Sequence, residues 1–582
     1  MTKEKIENMI SQTDRQTEHE LTGYPSIDKP WLKYYDLNRI GAPLPVWSLF
    51  DNIYENNKEH LDNPALVFFE KKISYRNLFT RIDLAEGKLK NLGVKTGDTV
   101  SFISILTPEV VAIFYAINRM GAVANFIDPR LSVETSVHHI VSTDSKVLIV
   151  LDACADKLNE ISKQIGEQNI IWLSISSDMT QPIKTLYRLK TGNKLKMPAE
   201  CIKYEDITAD EISIWKREKI DVSERLAIIC YTGGTSGDSK GVELTNYNIN
   251  SVCEQFRKLS KDFDRNQKWL TPSVPFIAYF IVCSLHMPLS YGMSAYIEFY
   301  EPMRMVKKIL KCKINHIAVT PVIYETLCSW KNIKSLEFLI MPTTGGDKLS
   351  ETTYKNINDF FVEHGCKYKI SNGYGMTEVS SGACVSAANE CNKPGSVGIP
   401  LPDTVITCFD LNSGEECKIG ESGELCISGP SLMRGYCNNH EATAAVIKEH
   451  NSRRWMHTGD IAHLDEDGCI FVEGRIKRMI IRFDGFKIFP NDIEEKLMKS
   501  DKIDNCCCVG IDDGEYKVGQ VPVVFYVPHD GYNDNDIEKE LRKIASKQIS
   551  EYSQPAKYLS INEMPRTHAG KIDYRALEKI RI

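Results

Sequence analysis

No two of the 18 cysteines stand in a C-x-x-C pair, which removes the paired spacing of zinc fingers and dithiol redox motifs. No run of about 18 apolar residues occurs, so no segment has the length of a membrane-spanning helix. A long lysine- and arginine-rich block is missing too, and the formal net charge is -7. That balance argues against nucleic acid as a partner. The first twenty residues, MTKEKIENMISQTDRQTEHE, are charged and lack the apolar centre of a secretory signal. Free thiols without an export signal point to a reducing cytoplasm. Low-complexity stretches and internal repeats are also absent.

What remains is a 582-residue chain, too long for one core; as a soft prior it holds about three or four domains of average size. Residues 1–45 read as an arm: a short polar helix around Ile6, Met9 and Ile10, then GYPSIDKPWLKYYD docking Trp31, Tyr34 and Tyr35 on the body. From residue 64 onward, apolar strands such as PALVFF, DTVSFIS and VLIVLD alternate with amphipathic helices. That alternation predicts helix-covered, mostly parallel sheets. After about residue 475 the pattern changes. PNDIEEKLMKS predicts a helix opened by proline, NCCCVGI a strand of small buried residues, and DNDIEKELRKIASKQI a second helix. The expected domains are therefore an arm over 1–45, a large domain over 46–476 and a small α+β domain over 477–582.

The segment YTGGTSGDSKG carries Thr232, Gly233, Gly234, Thr235, Ser236, Gly237 and Lys240. Glycines let backbone N–H groups approach an anion, and the hydroxyls and the lysine add donors and charge. It is not a Walker loop, because Gly241 and not Ser or Thr follows the lysine. The surrounding residues read as strand, loop, helix, with the strand ending near Cys230 and the helix starting near Asn246. Taken alone, a phosphate cradle and an ordinary glycine-rich turn both fit.

Three further segments follow in order: SNGYGMTEVSS at 371–381, RRWMHTGDIAHLDEDGCIFVEGRIKR at 453–478 and EMPRTHAGKIDYRAL at 563–577. Together with the glycine loop they make the chain resemble the adenylate-forming superfamily, which includes acyl-CoA synthetases, luciferases and peptide-synthetase adenylation domains. The resemblance runs from about residue 45 to the end. GAVANFIDPRLS, KPGSVGIPLP and GELCISGPSLMRGYCNN are similar to other segments of that family. It implies an α/β fold: a large N-terminal domain with a β-rich subdomain, plus a small mobile C-terminal domain. It also implies an AMP-forming acid–thiol ligase, using ATP and Mg2+ to activate a carboxylic acid and CoA to receive it.

The resemblance implies a role for each matched residue. Thr232 to Lys240 would embrace the β- and γ-phosphates. Gly346, Asp347, Asn372, Gly373, Tyr374, Gly375 and Met376 would line the nucleotide. Thr377 would touch the α-phosphate and Glu378 would hold the metal. Asp460 and Arg475 would bind the ribose. Lys477 would be a hinge on which the small domain swivels between half-reactions. Lys571 would bridge the carboxylate and the α-phosphate. Phe276, Ala278, Tyr279, Val319, Thr344, Gly345 and Gly382 would border the acyl pocket. Arg482 and Gly485 are candidates for the region that admits the thiol.

The sequence departs from the family pattern in two places. Ser239 stands where the loop usually carries proline, which loosens the loop by freeing φ. RMIIRFD, after Lys477, is one residue longer than usual. The acyl segment PFIAYF has no acidic residue to hold an α-ammonium, which argues against amino acids. Small residues there favour a medium- or long-chain fatty acid, with an aryl acid as the alternative. The acceptor alternative is the phosphopantetheine arm of a carrier protein. A catalytically silent nucleotide or acyl sensor is a third reading, set against by the presence of both Glu378 and Lys571. Oligomeric state is not legible.

Overall fold

A computed structural model describes residues 21–166, 169–191, 197–209, 222–232, 239–386, 391–482, 487–512, 519–566 and 572–580. Ile6, Met9 and Ile10, expected in a helix, lie outside the described residues.

Long apolar strands fully buried on both faces favour a parallel sheet between helix layers. The largest sheet has eight strands. From one edge they run Gly435–Tyr436, Lys240–Thr245, Leu226–Thr232, Val123–Ile127, Thr99–Ile103, Ser145–Leu151, Asn169–Leu173 and Ile202–Lys203. The last six are mutually parallel, and the first two pair antiparallel. The helix Pro108–Arg119 is capped by Thr107, whose side chain accepts from Val110 N, and buries residues all round its circumference. Helix Tyr75–Asn91 buries Leu78, Phe79, Ile82, Ala85 and Leu89 on one face, at the spacing its sequence predicts. Each such leucine, isoleucine or phenylalanine removed from water contributes about 1.5–3 kcal/mol.

A second sheet joins Lys268–Pro272, Ser294–Glu298, Pro64–Phe68 and Lys71–Ser74. A third runs Ala318–Val319, Thr343–Thr344 and Ser371–Tyr374 in parallel, then Cys384–Val385 and Ile399–Pro400 antiparallel. The β-rich part is antiparallel: Val405–Phe409, Gly423–Ser428, Arg453–Leu464 and Ile447–His450, with Ile470–Arg475 on the long strand. The small C-terminal part packs Ile503–Asp512, Gln520–Pro528 and Lys557–Ser560 with the helices Pro490–Leu497, Asp534–Gln548 and Tyr574–Glu578, around cores of its own. Cys506, Cys507 and Cys508 are buried there, and all 18 cysteines are free thiols.

The described part of the arm docks as expected. Trp31 is 1% exposed and packs against Gly468, where an added Cβ would lie 3.0 Å from the indole. Ser26 donates twice to Glu416, Lys33 pairs with Asp467, and the Tyr35 hydroxyl donates to the Pro400 carbonyl.

One local expectation is corrected. The glycine loop does not run into a helix. It joins two antiparallel strands, Leu226–Thr232 and Lys240–Thr245, with Thr232 opposite Lys240. The helix Asn246–Leu259 starts only after the second strand, and a Thr245–Asn248 capping box occupies its N-terminus. The short run KGVELT was hidden because it follows the glycines directly and reads as the approach to a helix.

Among the described residues, no helix is long and apolar enough to cross a membrane.

Candidate active site

Ligands of open α/β sheets gather at the carboxyl ends of parallel strands. Thr232, Val319, Thr344 and Tyr374 each end such a strand. Beyond Thr344 the chain turns through Gly345 and Gly346, the latter at φ +81°. A Cβ on Gly345 would stand 3.0 Å from the Gly373 carbonyl, so a side chain there would push these two strand ends a few tenths of an ångström apart. Asp347 is exposed beside them. Asn372 is buried, its amide donating to the Ser396 carbonyl at 2.9 Å.

After Tyr374 the chain closes a tight loop. The Ser381 N–H donates to the Met376 carbonyl (3.1 Å), and the Ala383 N–H to that of Tyr374 (2.9 Å). A Cβ on Gly375 would fall 1.7 Å from the Ser381 carbonyl, so the loop requires glycine there. Its crest is the 3-10 turn Thr377–Val379, which carries Glu378.

Glu378 is 5% exposed. Burial raises its carboxyl above the usual glutamate range, and the opposing influences are a Tyr436 hydrogen bond and the positive charges of Arg475 and Lys240. The Tyr436 hydroxyl donates to Glu378 Oε1 at 2.8 Å, and Lys240 Nζ lies 4.8 Å from the centre of the Tyr436 ring. This works because Gly435–Tyr436 pairs with Lys240–Thr245 at the sheet edge. The Met433 N–H also donates to the Glu378 carbonyl, and Ser380 Oγ to that of Ser431. Sequence reasoning gave Tyr436 no role, although it lies within GELCISGPSLMRGYCNN. The aromatic in that polar stretch, MRGYCNN, was the available signal.

Asp460 is 3% exposed. It accepts from the Tyr374 hydroxyl at 2.5 Å and pairs with Arg475 Nε at 2.6 Å, its direct cross-strand neighbour. Burial, then the Asp460 charge, pushes the Tyr374 phenol well above its ordinary range. Arg475 itself is exposed along its side chain.

Phe276, Ala278, Val319 and Thr344 are buried. Tyr279 precedes a π-helix, Phe280–His286, that is buried throughout; such helices recur at functional sites. Tyr279 Oη lies 3.8 Å from the Gly345 Cβ position. Tyr279 Oη and Thr344 Oγ1 are buried without a protein hydrogen-bond partner. Gly382 lies against the Phe256 ring, and Cys283 Sγ is 3.0 Å from Ser381 Oγ.

Not every expected residue joins this centre. Arg482 belongs to the small C-terminal part, donating to the Tyr552 carbonyl at 3.2 Å. Lys477 is exposed on the 3-10 turn Ile476–Arg478, next to Arg478, which pairs with Glu494 at 2.5 Å. Gly233, Gly234, Thr235, Ser236, Gly237, Gly485 and Lys571 lie outside the described residues. The flanks of the last, Arg566 and Ile572, bridge antiparallel.

The family model described as "AMP-binding enzyme" matches residues 53–437, and "AMP-binding enzyme C-terminal domain" matches 492–571. A long-chain-fatty-acid–CoA ligase of Bacillus subtilis (strain 168) is 27% identical over 568 residues, 94% of this chain and 97% of that protein. A probable 4-coumarate–CoA ligase 3 of Dictyostelium discoideum is 28% identical over 492 residues, 83% of this chain and 86% of that one. Among solved structures, the anthranilate CoA ligase AuaEII in complex with anthranoyl-AMP superposes with a TM-score of 0.79 at 18% identity, covering 92% of this chain and 97% of that one. With both domain models matched in order and the fold shared, the chain belongs to the AMP-binding enzyme family, the adenylate-forming enzymes its motifs resemble.

Proposed function

We propose that the protein joins a carboxylic acid to CoA in two steps, with ATP converted to AMP and pyrophosphate. The observation that carries this reading is the arrangement of Glu378, Tyr436 and Lys240 beside Asp460, Tyr374 and Arg475. One group supplies positive charge and a metal-binding carboxylate. The other offers a buried carboxylate to a ribose cis-diol.

In the first step a carboxylate oxygen attacks the α-phosphorus. The P–O bond to the β-phosphate breaks, and its electron pair leaves with pyrophosphate. Two anions must meet, so the protein's contribution is positioning and charge neutralisation. Thr232, Gly233, Gly234, Thr235, Ser236, Gly237 and Lys240 hold the leaving phosphates. Thr377 donates to the α-phosphate, and Lys571 places an ammonium between carboxylate and phosphate. Gly346, Asp347, Asn372, Gly373, Gly375 and Met376 line the base. A magnesium ion, when bound, supplies further neutralisation of phosphate charge. Glu378 suits it, because magnesium takes one or two carboxylates together with phosphate oxygens and water.

In the second step the CoA sulfur attacks the acyl carbonyl. The bond to AMP breaks, AMP leaves and the thiol proton goes to solvent. Here the small domain, taken as 477–582, swivels about Lys477 relative to the large domain, 46–476. This withdraws Lys571 and presents the Arg482 and Gly485 region to the thiol. Lys348 pairs with Glu495 at 2.7 Å, an exposed contact of little stabilising value that can break in such a movement.

For the acid, the buried apolar wall of Phe276, Ala278, Val319 and the π-helix supports a medium- or long-chain fatty acid, as does the B. subtilis relative's name. A second reading, an aryl or hydroxylated acid, is favoured by the partnerless hydroxyls of Tyr279 and Thr344 in the same wall. A pyrophosphate-release screen over alkanoic acids of increasing length and aryl acids tests both. Mass detection of the thioester then distinguishes CoA from a carrier protein. No release with any acid would leave only a nucleotide-binding role.

A further inference from the structure

The antiparallel sheet that carries Asp460 holds a second cluster of metal-ligating side chains, which the reaction above does not use. Glu424 and Cys426 come from Gly423–Ser428, His457 from Arg453–Leu464 and His450 from the end of Ile447–His450. Cys426 is the direct cross-strand partner of His457. Lys448 pairs with Trp455, so strand alternation puts His450 and His457 on one face. One ligand atom each from Glu424, Cys426 and His457 lie within 4.8 Å of one another.

Each histidine presents a buried ring nitrogen without a protein hydrogen-bond partner. His457 Nδ1 lies 2.7 Å from Glu424 Oε2, so Nδ1 donates to the carboxylate, and in the neutral ring Nε2 is the nitrogen left to ligate. The side chain of His457 is 8% exposed, and its Nε2 has no hydrogen-bond partner. His450 lies with its ring centre 5.7 Å from that of His457, held by stacking on Phe409 at 4.8 Å. Its Nε2 is likewise buried and without a partner. Buried polar atoms are normally paired, and two such imidazole nitrogens beside a buried thiol match the donor set of a borderline-soft divalent ion.

We propose that Cys426, His450 and His457 bind one zinc-class divalent ion, with Glu424 holding His457 through Nδ1. A carboxylate behind a ligating histidine is the usual way its ring is oriented. Zinc–nitrogen bonds of about 2.0–2.1 Å and zinc–sulfur bonds of about 2.3 Å require donors roughly 3.5 Å apart. Cys426 and His457, within 4.8 Å, need only a modest closing, whereas His450, which does not share that spacing and has its ring centre 5.7 Å from that of His457, must move inward to ligate. Cys426 gives up its proton to solvent on binding; no electron is transferred. The donors come from three strands, which is why no C-x-x-C spacing announces them. The ion would also brace the active site, because Glu424 Oε1 accepts from the Gly459 N–H at 3.1 Å. Gly459, at φ +72°, sets the turn immediately before Asp460.

The test uses full-length protein stripped with a chelator and titrated with Zn2+ against a chromophoric competitor, then with Co2+. One equivalent of zinc should bind, the melting temperature should rise with it, and cobalt should give a thiolate charge-transfer band in the near ultraviolet. Cys426→Val should abolish the band, and His450→Phe should weaken zinc binding about ten-fold or more. Cys426→Ser gives the same reading should the valine variant fold poorly, and Cys366→Ser, at another buried cysteine, should change nothing. No competitive zinc binding by the wild type, or binding and spectrum unaltered in the Cys426 variants, would overturn the proposal.

Discussion

The Tyr436 hydroxyl donates to the buried carboxylate of Glu378 at 2.8 Å, joining two segments 58 residues apart. The same ring faces Lys240, so one tyrosine contacts both the carboxylate proposed to hold the metal and the lysine proposed to hold phosphate. Removing the hydroxyl alone should disturb the reaction without emptying the core. Tyr436→Phe should keep its melting temperature within a few degrees but lower acyl-adenylate formation by about ten-fold or more, since hydrogen bonds to charged groups are worth about 1.5–3 kcal/mol. The loss should be partly recovered at high Mg2+. A variant with wild-type kinetics at low magnesium would remove Tyr436 from the site.

Glu378→Gln separates stability from activity. The carboxyl is raised above its unfolded value by burial, so the folded state holds its proton more tightly. Ionisation therefore costs stability. The cost is absent below the unfolded glutamate value and complete once pH exceeds the raised one. The glutamine variant should be inactive in adenylation yet more stable at neutral pH, by on the order of 1 kcal/mol. Its advantage should vanish in acid. Melting temperatures of both proteins across pH check this, and an advantage constant with pH would contradict it.

Asp460→Ala should weaken ATP binding and also loosen the fold locally. Tyr374 would lose its acceptor and Arg475 its ion pair. A buried hydroxyl left alone costs about 1–3 kcal/mol. The expected result is a KM for ATP raised about ten-fold or more, with the KM for the acid nearly unchanged. Equal effects on both substrates would place Asp460 elsewhere in the reaction.

Trp31→Ala tests the arm. Emptying so large a buried site costs about 3–5 kcal/mol, and Gly468 leaves no side chain to fill it. Limited proteolysis should cut near residues 21–36 far faster in the variant. Unchanged cleavage would mean that the polar ties to Glu416 and Asp467 hold the arm without it.

Much of the architecture was legible in the sequence because the local apolar pattern carries it. The helix Tyr75–Asn91 repeats its apolar residues at helical spacing, and the strands around Val100 and Val147 are short, continuous apolar runs alternating with such helices. Cys506–Cys508 read as core because they are small apolar residues in a short strand-like run, and all three are buried. The hairpin strand Lys240–Thr245 was not legible, since six residues after a glycine loop and before a helix carry too short a pattern. Tyr436 and the Cys426–His457 pair were missed for another reason. Their partners lie on different strands, and strand pairing across tens of residues leaves no local signature. The motif residues were found through resemblance, and the geometry of Glu378 with Tyr436 came only from the folded chain.

The most direct measurement is carboxylate-dependent exchange of labelled pyrophosphate into ATP, in the absence of any thiol. The account predicts exchange with one class of acid, lost in Lys571→Ala, while that variant still forms thioester from preformed acyl-adenylate and CoA. ATP turnover to ADP and phosphate, or no exchange with any acid, would contradict it.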